Sequence, residues 1–436
     1  MRRVRILRIV TRLNTGGPAR HLLALSRALD SNKYEQCLVA GLEGPGEDSM
    51  RPFVEAQGVH VTAVPEMVGT ARVGPRDVLA VARIRKLIRD FRPDIVETHT
   101  TKAGIVGRLA ARLESSPIVL HIYHGHGLDG HLGAIKTWMA RHTERVLARM
   151  SDRLVAVSAH VKSDLVKYKV ASPDHISVVE PGLDLAAMVR CRQDRGALRR
   201  ELGLGPSVPI VGIVGRLAAV KNHRLFLDAA AGVLAIRSDV HFLVVGDGEL
   251  GPEIRALAHG RGLMERLMFT GWRYDLPRIY ADLDVLVSCS NNEGMPFAII
   301  EAMAAGCPVV ATRVGGVSDL VDDQITGLLV PPAQAAPLVA ATVRLLADGD
   351  LAHTLARSAA TDAGVRFNTA RMASDMDALY TALLHSYDGA RPTIRSPRPA
   401  GKASARHATD ADRGGRRPVI APWGRHSTRA ATNRED

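Results

Sequence analysis

Residues 287–317 read VSCSNNEGMPFAIIEAMAAGCPVVATRVGGV. The apolar run that ends at Ser288 has the length and composition of a buried parallel strand. Asn291, Asn292 and Gly294 break it and favour a turn. Pro296 suits the first position of a helix, where its missing N–H costs nothing. FAIIEAMAA continues as a buried helix that Gly306 and Pro308 stop, and PVVAT is the next strand. Strand, turn, helix and strand in this compass form the repeating unit of a parallel α/β sheet. The same stretch carries Glu293 in the turn and Glu301 in the second helical turn. A carboxylate inside so apolar a helix is costly to bury alone, so both glutamates are read as site residues and not as solvated helix-end charges. The amides of Met295, Phe297 and Ala298 are expected to leave the helix start unpaired, at an end of partial positive charge. Such an edge can grip hydroxyls and an anion together.

The unit recurs outward in both directions, about six times in each half of the chain. VRILRIVT, YEQCLVAG, DIVETHT, SPIVLHIY and RLVAVSAH read as strands of the first half. VPIVGIVG, VHFLVVG, LMFTGW, VLVSCS, PVVAT and GLLV read as strands of the second. The predicted fold class is therefore α/β, with two facing Rossmann-like domains and an interdomain cleft. The expected divisions are 1–187, 188–365, a last helix over 366–387 and a basic tail over 388–436. Ligands of open α/β sheets bind at the carboxyl ends of the strands. Glycine-rich turns sit there in both halves, at 16–17, 124–127, 214–216, 246–248, 291–294 and 315–316.

Length and composition agree. The 436 residues exceed one ordinary core, and 46% hydrophobic content suffices for two. The four cysteines have no paired spacing and are read as reduced thiols. The N-terminus is interrupted by charges, unlike an export signal, and no window is long and apolar enough to span a bilayer. A cytoplasmic location is expected, with peripheral attachment to the inner membrane face as an option. The chain's formal charge is +12, and residues 389–436 hold eleven Lys/Arg against four Asp/Glu. More than half of the excess thus lies in a tail too poor in large apolar residues to fold, and no specific nucleic-acid binding is expected of the body.

VGRLAAVKNH is the second informative stretch. Gly215 and Arg216 follow a strand, and Lys221 comes five residues later at a helix start. Two cations and helix amides in that order can converge on a diphosphate. The stretch matches neither a Walker loop nor a dinucleotide fingerprint. Together with GDGEL at 246–250 and NEGMPFAIIEAMAAGCPVVATRVGGVSDLV at 292–321, it resembles the nucleotide-sugar glycosyltransferases of family 4, which have a GT-B fold. The resemblance covers about residues 5–387. It implies that Arg216 and Lys221 hold the donor diphosphate and its leaving charge. It implies further that Glu301 binds the ribose and that Glu293 meets the donor sugar, beside the backbone of Gly294, Met295, Pro296 and Phe297. Gly16 and Gly17 match the turn that closes over the donor.

HIYHGHGLDG matches the family's histidine loop, which makes His124 the residue nearest the transferred sugar, with His126 second. Asp247 is a further candidate. His121, His124, His126 and His131 are alternatively a zinc cluster, but their spacing fits no structural-zinc pattern and no cysteine is near. No metal and no cofactor are expected. VVEPGLD carries Glu180 where relatives often have Asn, which leaves its role open, and Asp184 reads as a turn or helix cap.

The resemblance implies a retaining transfer from a nucleoside-diphosphate sugar, expected to be a UDP-sugar, to a glycan or lipid-linked acceptor in polysaccharide or glycoconjugate assembly. The alternatives are a nucleotide-sugar 2-epimerase and a non-catalytic sugar-nucleotide-binding subunit. No pair of carboxylates stands out as a glycosidase-type nucleophile and acid–base pair. Lys136, Arg141, Arg145 and Arg149 share a helix with Trp138, Met139 and Leu147, and residues 83–92 are basic. These helices are the candidates for docking on an anionic membrane.

Overall fold

The computed structural model describes residues 2–44, 48–68, 74–128 and 133–390, with side chains up to Tyr387. The Val- and Ile-rich segments form two sheets. The first contains β1 (Val4–Val10), β2 (Tyr34–Leu42), β3 (Val61–Val68), β4 (Ile95–His99), β5 (Ile118–Tyr123), β6 (Arg153–Ala156) and β7 (Ile176–Val178). The second contains β8 (Ile210–Val214), β9 (His241–Val245), β10 (Leu267–Gly271), β11 (Val285–Ser288), β12 (Val309–Thr312) and β13 (Leu328–Val330). All neighbours are parallel, in the orders β3-β2-β1-β4-β5-β6-β7 and β10-β9-β8-β11-β12-β13. Parallel sheets need cover on both faces. The strands accordingly read as nearly continuous buried runs, β5 and β12 without an exposed residue.

Each sheet reverses its order once. β1 lies between β2 and β4, and β8 lies between β9 and β11. A reversal opens a crevice at the carboxyl ends of the two strands. The turns that follow β1, β4, β8 and β11 hold most of the candidate residues, so the topology alone selects them.

The chain crosses between the two lobes twice, at 182–186 and 366–369. There the Leu183 amide donates to the Phe367 carbonyl at 2.8 Å. The last helix, Thr369–Ala390, returns to the first lobe and packs on the helix Gly17–Ala28. Tyr34 Oη and Lys33 Nζ both donate to Asp377 Oδ1, at 2.8 and 2.6 Å. One apolar cluster, including Leu183, Met188, Ile300, Phe367, Met376 and Tyr380, is continuous through this junction. Each such side chain contributes about 1.5–3 kcal/mol on burial. Glu180 accepts from Arg366 at 2.7 Å, which gives it a place at the crossover and not in the cleft. Asp184 accepts from the Ala186 amide at 3.2 Å, a local cap.

Several local expectations are corrected. The helix Gly17–Ala28 begins within the Gly16–Gly17 turn itself. Pro296 is the N-cap of the helix Phe297–Ala304, because its ψ of 113° is extended. The last helix starts at Thr369 and extends through 390, past the expected limit of 387. Between the lobes' sheets, Cys191–Asp194 and Ala197–Glu201 form short helices, and buried Asp282 accepts from the amides of Gly196, Leu198 and Arg199. His131 and the tail beyond 390 lie outside the described residues. Among the described residues no helix is long and apolar enough to cross a membrane.

Candidate active site

A cavity of about 920 Å³ lies between the lobes. Its first wall is built at the β1/β4 reversal and the β5 turn, with Gly16, Gly17, Arg20, Thr100 and His124. The opposite wall is built at the β8/β11 reversal, with Gly215, Arg216, Lys221, Phe297 and Glu301. Gly17 comes close to the Phe297 ring, 3.9 Å from where a Cβ would stand.

The second wall holds the charges. Lys221 Nζ donates to Glu293 Oε1 at 2.5 Å, and Ser290 Oγ donates to the same oxygen at 2.6 Å. Arg216 lies beside Lys221 on the wall, 4.0 Å from Glu249. Glu301 is 1% exposed. Tyr280 Oη donates to its Oε2 at 3.0 Å, while Arg20 of the opposite lobe pairs with its Oε1. Burial, then the charge of Glu301, pushes the Tyr280 hydroxyl well above its ordinary range. Phe297 and Ala298 begin the helix and line the cavity, and amides of a first helical turn have no intrahelical acceptors.

Not every expected residue lines this cavity. Glu293 stands one step back, behind Lys221. Gly294 instead lets the lobes touch: a Cβ there would fall 1.9 Å from the His124 carbonyl oxygen. Met295 is buried, and Pro296 is spent on the cap. Asp247 holds its own turn, accepting from the Gly248 amide at 2.8 Å. The adjoining Gly246, with φ +126°, approaches the Gly215 carbonyl so closely that a Cβ would lie 2.2 Å from it. His126 lines the cavity, yet both its nitrogens are engaged, with Asp164 Oδ2 at 3.0 Å and the Leu128 amide at 3.3 Å. Both contacts tie the loop down. Among the described residues no three His, Cys, Asp or Glu side chains converge to hold a metal ion.

Sequence reasoning missed Arg20, Glu97 and His99. His124 Nε2 lies 2.9 Å from His99 Nδ1, and His99 Nε2 lies 2.8 Å from Glu97 Oε1. His21 meets the His124 ring edge-on at 5.0 Å. Burial, then the neighbouring His21 and His99, hold the His124 pKa well below its ordinary value. A charged residue inside the apolar strand IVETH was the available signal for Glu97.

Two facing Rossmann-like lobes, with cations, helix amides and a buried carboxylate on one wall, define a GT-B glycosyltransferase. Two family models agree: "Glycosyl transferases group 1" matches residues 208–348, and "Glycosyl transferase 4-like domain" matches residues 16–182. The chain belongs to this glycosyltransferase family. It is 32% identical over 276 residues to the UDP-Gal:alpha-D-GlcNAc-diphosphoundecaprenol alpha-1,3-galactosyltransferase of Escherichia coli, covering 63% of this chain and 71% of that one. It is also 32% identical over 321 residues to the D-inositol 3-phosphate glycosyltransferase of Segniliparus rotundus, covering 71% and 70%. The structure of Anabaena HepE in complex with UDP and glucose superposes with a TM-score of 0.75 at 22% identity, over 87% of this chain and all of that one. That likeness shows the shared fold.

Proposed function

We propose that this enzyme is a retaining family 4 transferase that moves a sugar from a UDP-sugar to a lipid-linked acceptor. The observation that carries the reading is the placement of Arg216, Lys221 and the helix amides opposite His124 across one cavity. Breaking the bond to a nucleoside diphosphate builds negative charge on the leaving phosphate. Preorganised cations and amides stabilise that charge in a site that excludes water. They do so in this reading without a metal. The acceptor hydroxyl passes its proton to the departing phosphate oxygen.

Glu301 binds the ribose hydroxyls. Arg20 pairs with the same carboxylate, and in this reading the ribose takes its place and leaves the guanidinium to the diphosphate. Glu293, which accepts from Lys221, holds that ammonium toward the diphosphate from one step behind the cavity wall. The names of the E. coli relative and of the HepE complex support UDP and a lipid diphosphate acceptor.

The acceptor reaches the first lobe from a membrane. Ile135, Trp138 and Met139 project from the helix Ala134–Ala148 at 77%, 63% and 56% exposure, beside Lys136. Leu147 is buried, and Arg141 and Arg145 are tied to the carbonyls of Leu128, Tyr168 and Lys169, so they leave the docking face. Arg85 and Arg89 are likewise paired, with Glu114.

The test is product analysis with a UDP-sugar panel and a polyprenyl-diphosphate-linked sugar acceptor. The reading expects a new glycosidic bond with the donor's anomeric configuration. An inverted product, or an epimerised donor without acceptor, refutes it.

A further inference from the structure

Behind His124 runs a continuous line of buried polar groups that ends on the last helix. Glu97 and His99 are two residues apart on β4 and so share a face. Arg8 stands opposite Glu97 in the β1–β4 register. Arg8 Nε donates to Glu97 Oε1 at 2.8 Å, and Tyr380 Oη donates to Oε2. Arg8 Nη2 also donates to Tyr380 Oη at 3.2 Å. Glu97, His99 and Tyr380 have no exposed surface, and Arg8 has 1%.

Hydrogen-bond direction along this line is determined at one end. An ionised carboxylate only accepts, and three donors converge on Glu97. Burial alone would raise its pKa, but Arg8, His99 and Tyr380 together hold it below the usual carboxylate range. His99 Nε2 must therefore carry a proton. Arg8 already balances the charge of Glu97, so a neutral His99 has a bare Nδ1. That atom can only accept, and its partner at 2.9 Å is His124 Nε2. His124 then carries its proton on Nε2, and Nδ1 keeps its lone pair. His21 on the first helix meets the His124 ring edge-on, and among the described residues the hydrogen-bond partner of His124 is His99.

We propose that Glu97 and His99 are positioning residues that lock His124 as the Nε2–H tautomer, offering Nδ1 as an acceptor to a hydroxyl of the donor sugar. Tyr380 holds Glu97 from the C-terminal helix, which wires that helix to the site. The use made of the tautomer rests on the reading that His124 meets the donor sugar.

Nitrogen-15 spectra of histidine-labelled full-length enzyme test the tautomer, with His124→Ala identifying the signal. The expected result is a protonated Nε2 and a bare Nδ1 in the wild type. His99→Phe should lose that pattern and lower kcat about 10- to 100-fold, the scale of removing the partner that orients a functional histidine, with little change in the donor KM. His99→Gln can donate to Glu97 through its amide nitrogen and accept from His124 through its oxygen, so it should recover most of the turnover. Tyr380→Phe, which keeps the shape of the helix, should show a partial loss in kcat alone. A bare Nε2 in the active wild type overturns the proposal, as does His99→Phe with wild-type kcat. Full activity in His124→Ala instead removes the donor-sugar reading, and does so whatever the tautomer is.

Discussion

Replacing Lys221 by alanine removes a cation that faces the expected diphosphate. Its Nζ lies 2.5 Å from Glu293, and the two side chains are 24% and 12% exposed. Two losses follow. A charge-assisted contact to the leaving phosphate disappears, which costs about 1.5–3 kcal/mol. Glu293 also loses its counter-charge and repels the phosphate. At a separation of about 6 Å and an effective dielectric constant near 20, that repulsion is about 3 kcal/mol, and partial hydration of Glu293 roughly halves it. The sum, about 3–4.5 kcal/mol, corresponds to a fall in kcat of about 10²- to 10³-fold. The assay is UDP release from a UDP-sugar at saturating acceptor. The double variant Lys221→Ala/Glu293→Gln should regain about tenfold over the single variant, because the neutral amide no longer repels. A single variant within threefold of wild type, or a double variant slower than the single, refutes this account of the pair.

Three further outcomes are expected. Arg20→Ala leaves buried Glu301 with Tyr280 as its remaining partner, which should destabilise the enzyme without UDP by about 1–3 kcal/mol; UDP should then raise the variant's Tm by more than the wild type's, and an unchanged Tm without UDP contradicts the pairing. Gly294→Ala places a methyl group against the His124 carbonyl and blocks lobe closure, so turnover should drop at least about tenfold while circular dichroism stays unchanged. Acid should weaken the fold early. Burial, with His99 second, lowers His21 to about 3, and burial, with Lys221 second, lowers His223 to about 4. Both are held neutral in the native state and take up protons on unfolding, so their stabilising contribution is intact above pH 6.5 and is lost as pH falls toward those values. Between pH 7 and 5 the two together should cost about 4 kcal/mol in urea unfolding, and a flat stability across that range contradicts their burial.

The parts of the site legible in the sequence are those whose chemistry is local. The turn–helix unit from Glu293 to Glu301 and the Arg216–Lys221 spacing each put a charge at a strand end, where the parallel order brings it to the cleft. Arg20, Glu97, His99 and Tyr380 act through partners tens to hundreds of residues away. Arg8 and Glu97 meet only because β1 and β4 are neighbours, a pairing that neither strand encodes alone. Tyr380 reads as one more apolar position on a helix until the crossover returns that helix to the first lobe. Four further candidates do not line the cavity, for a related reason. Gly294, Met295, Pro296 and Asp247 sit beside the cleft in sequence, but lobe contact, core packing, helix capping and turn formation consume them.

The structure of a UDP complex tests the central claim most directly. The account expects the diphosphate within hydrogen-bond distance of Arg216, Lys221 and the amides of Phe297 and Ala298, with the ribose on Glu301 and Arg20 withdrawn from it. A nucleotide bound away from these groups, or bound while Arg20 keeps its grip on Glu301, contradicts it.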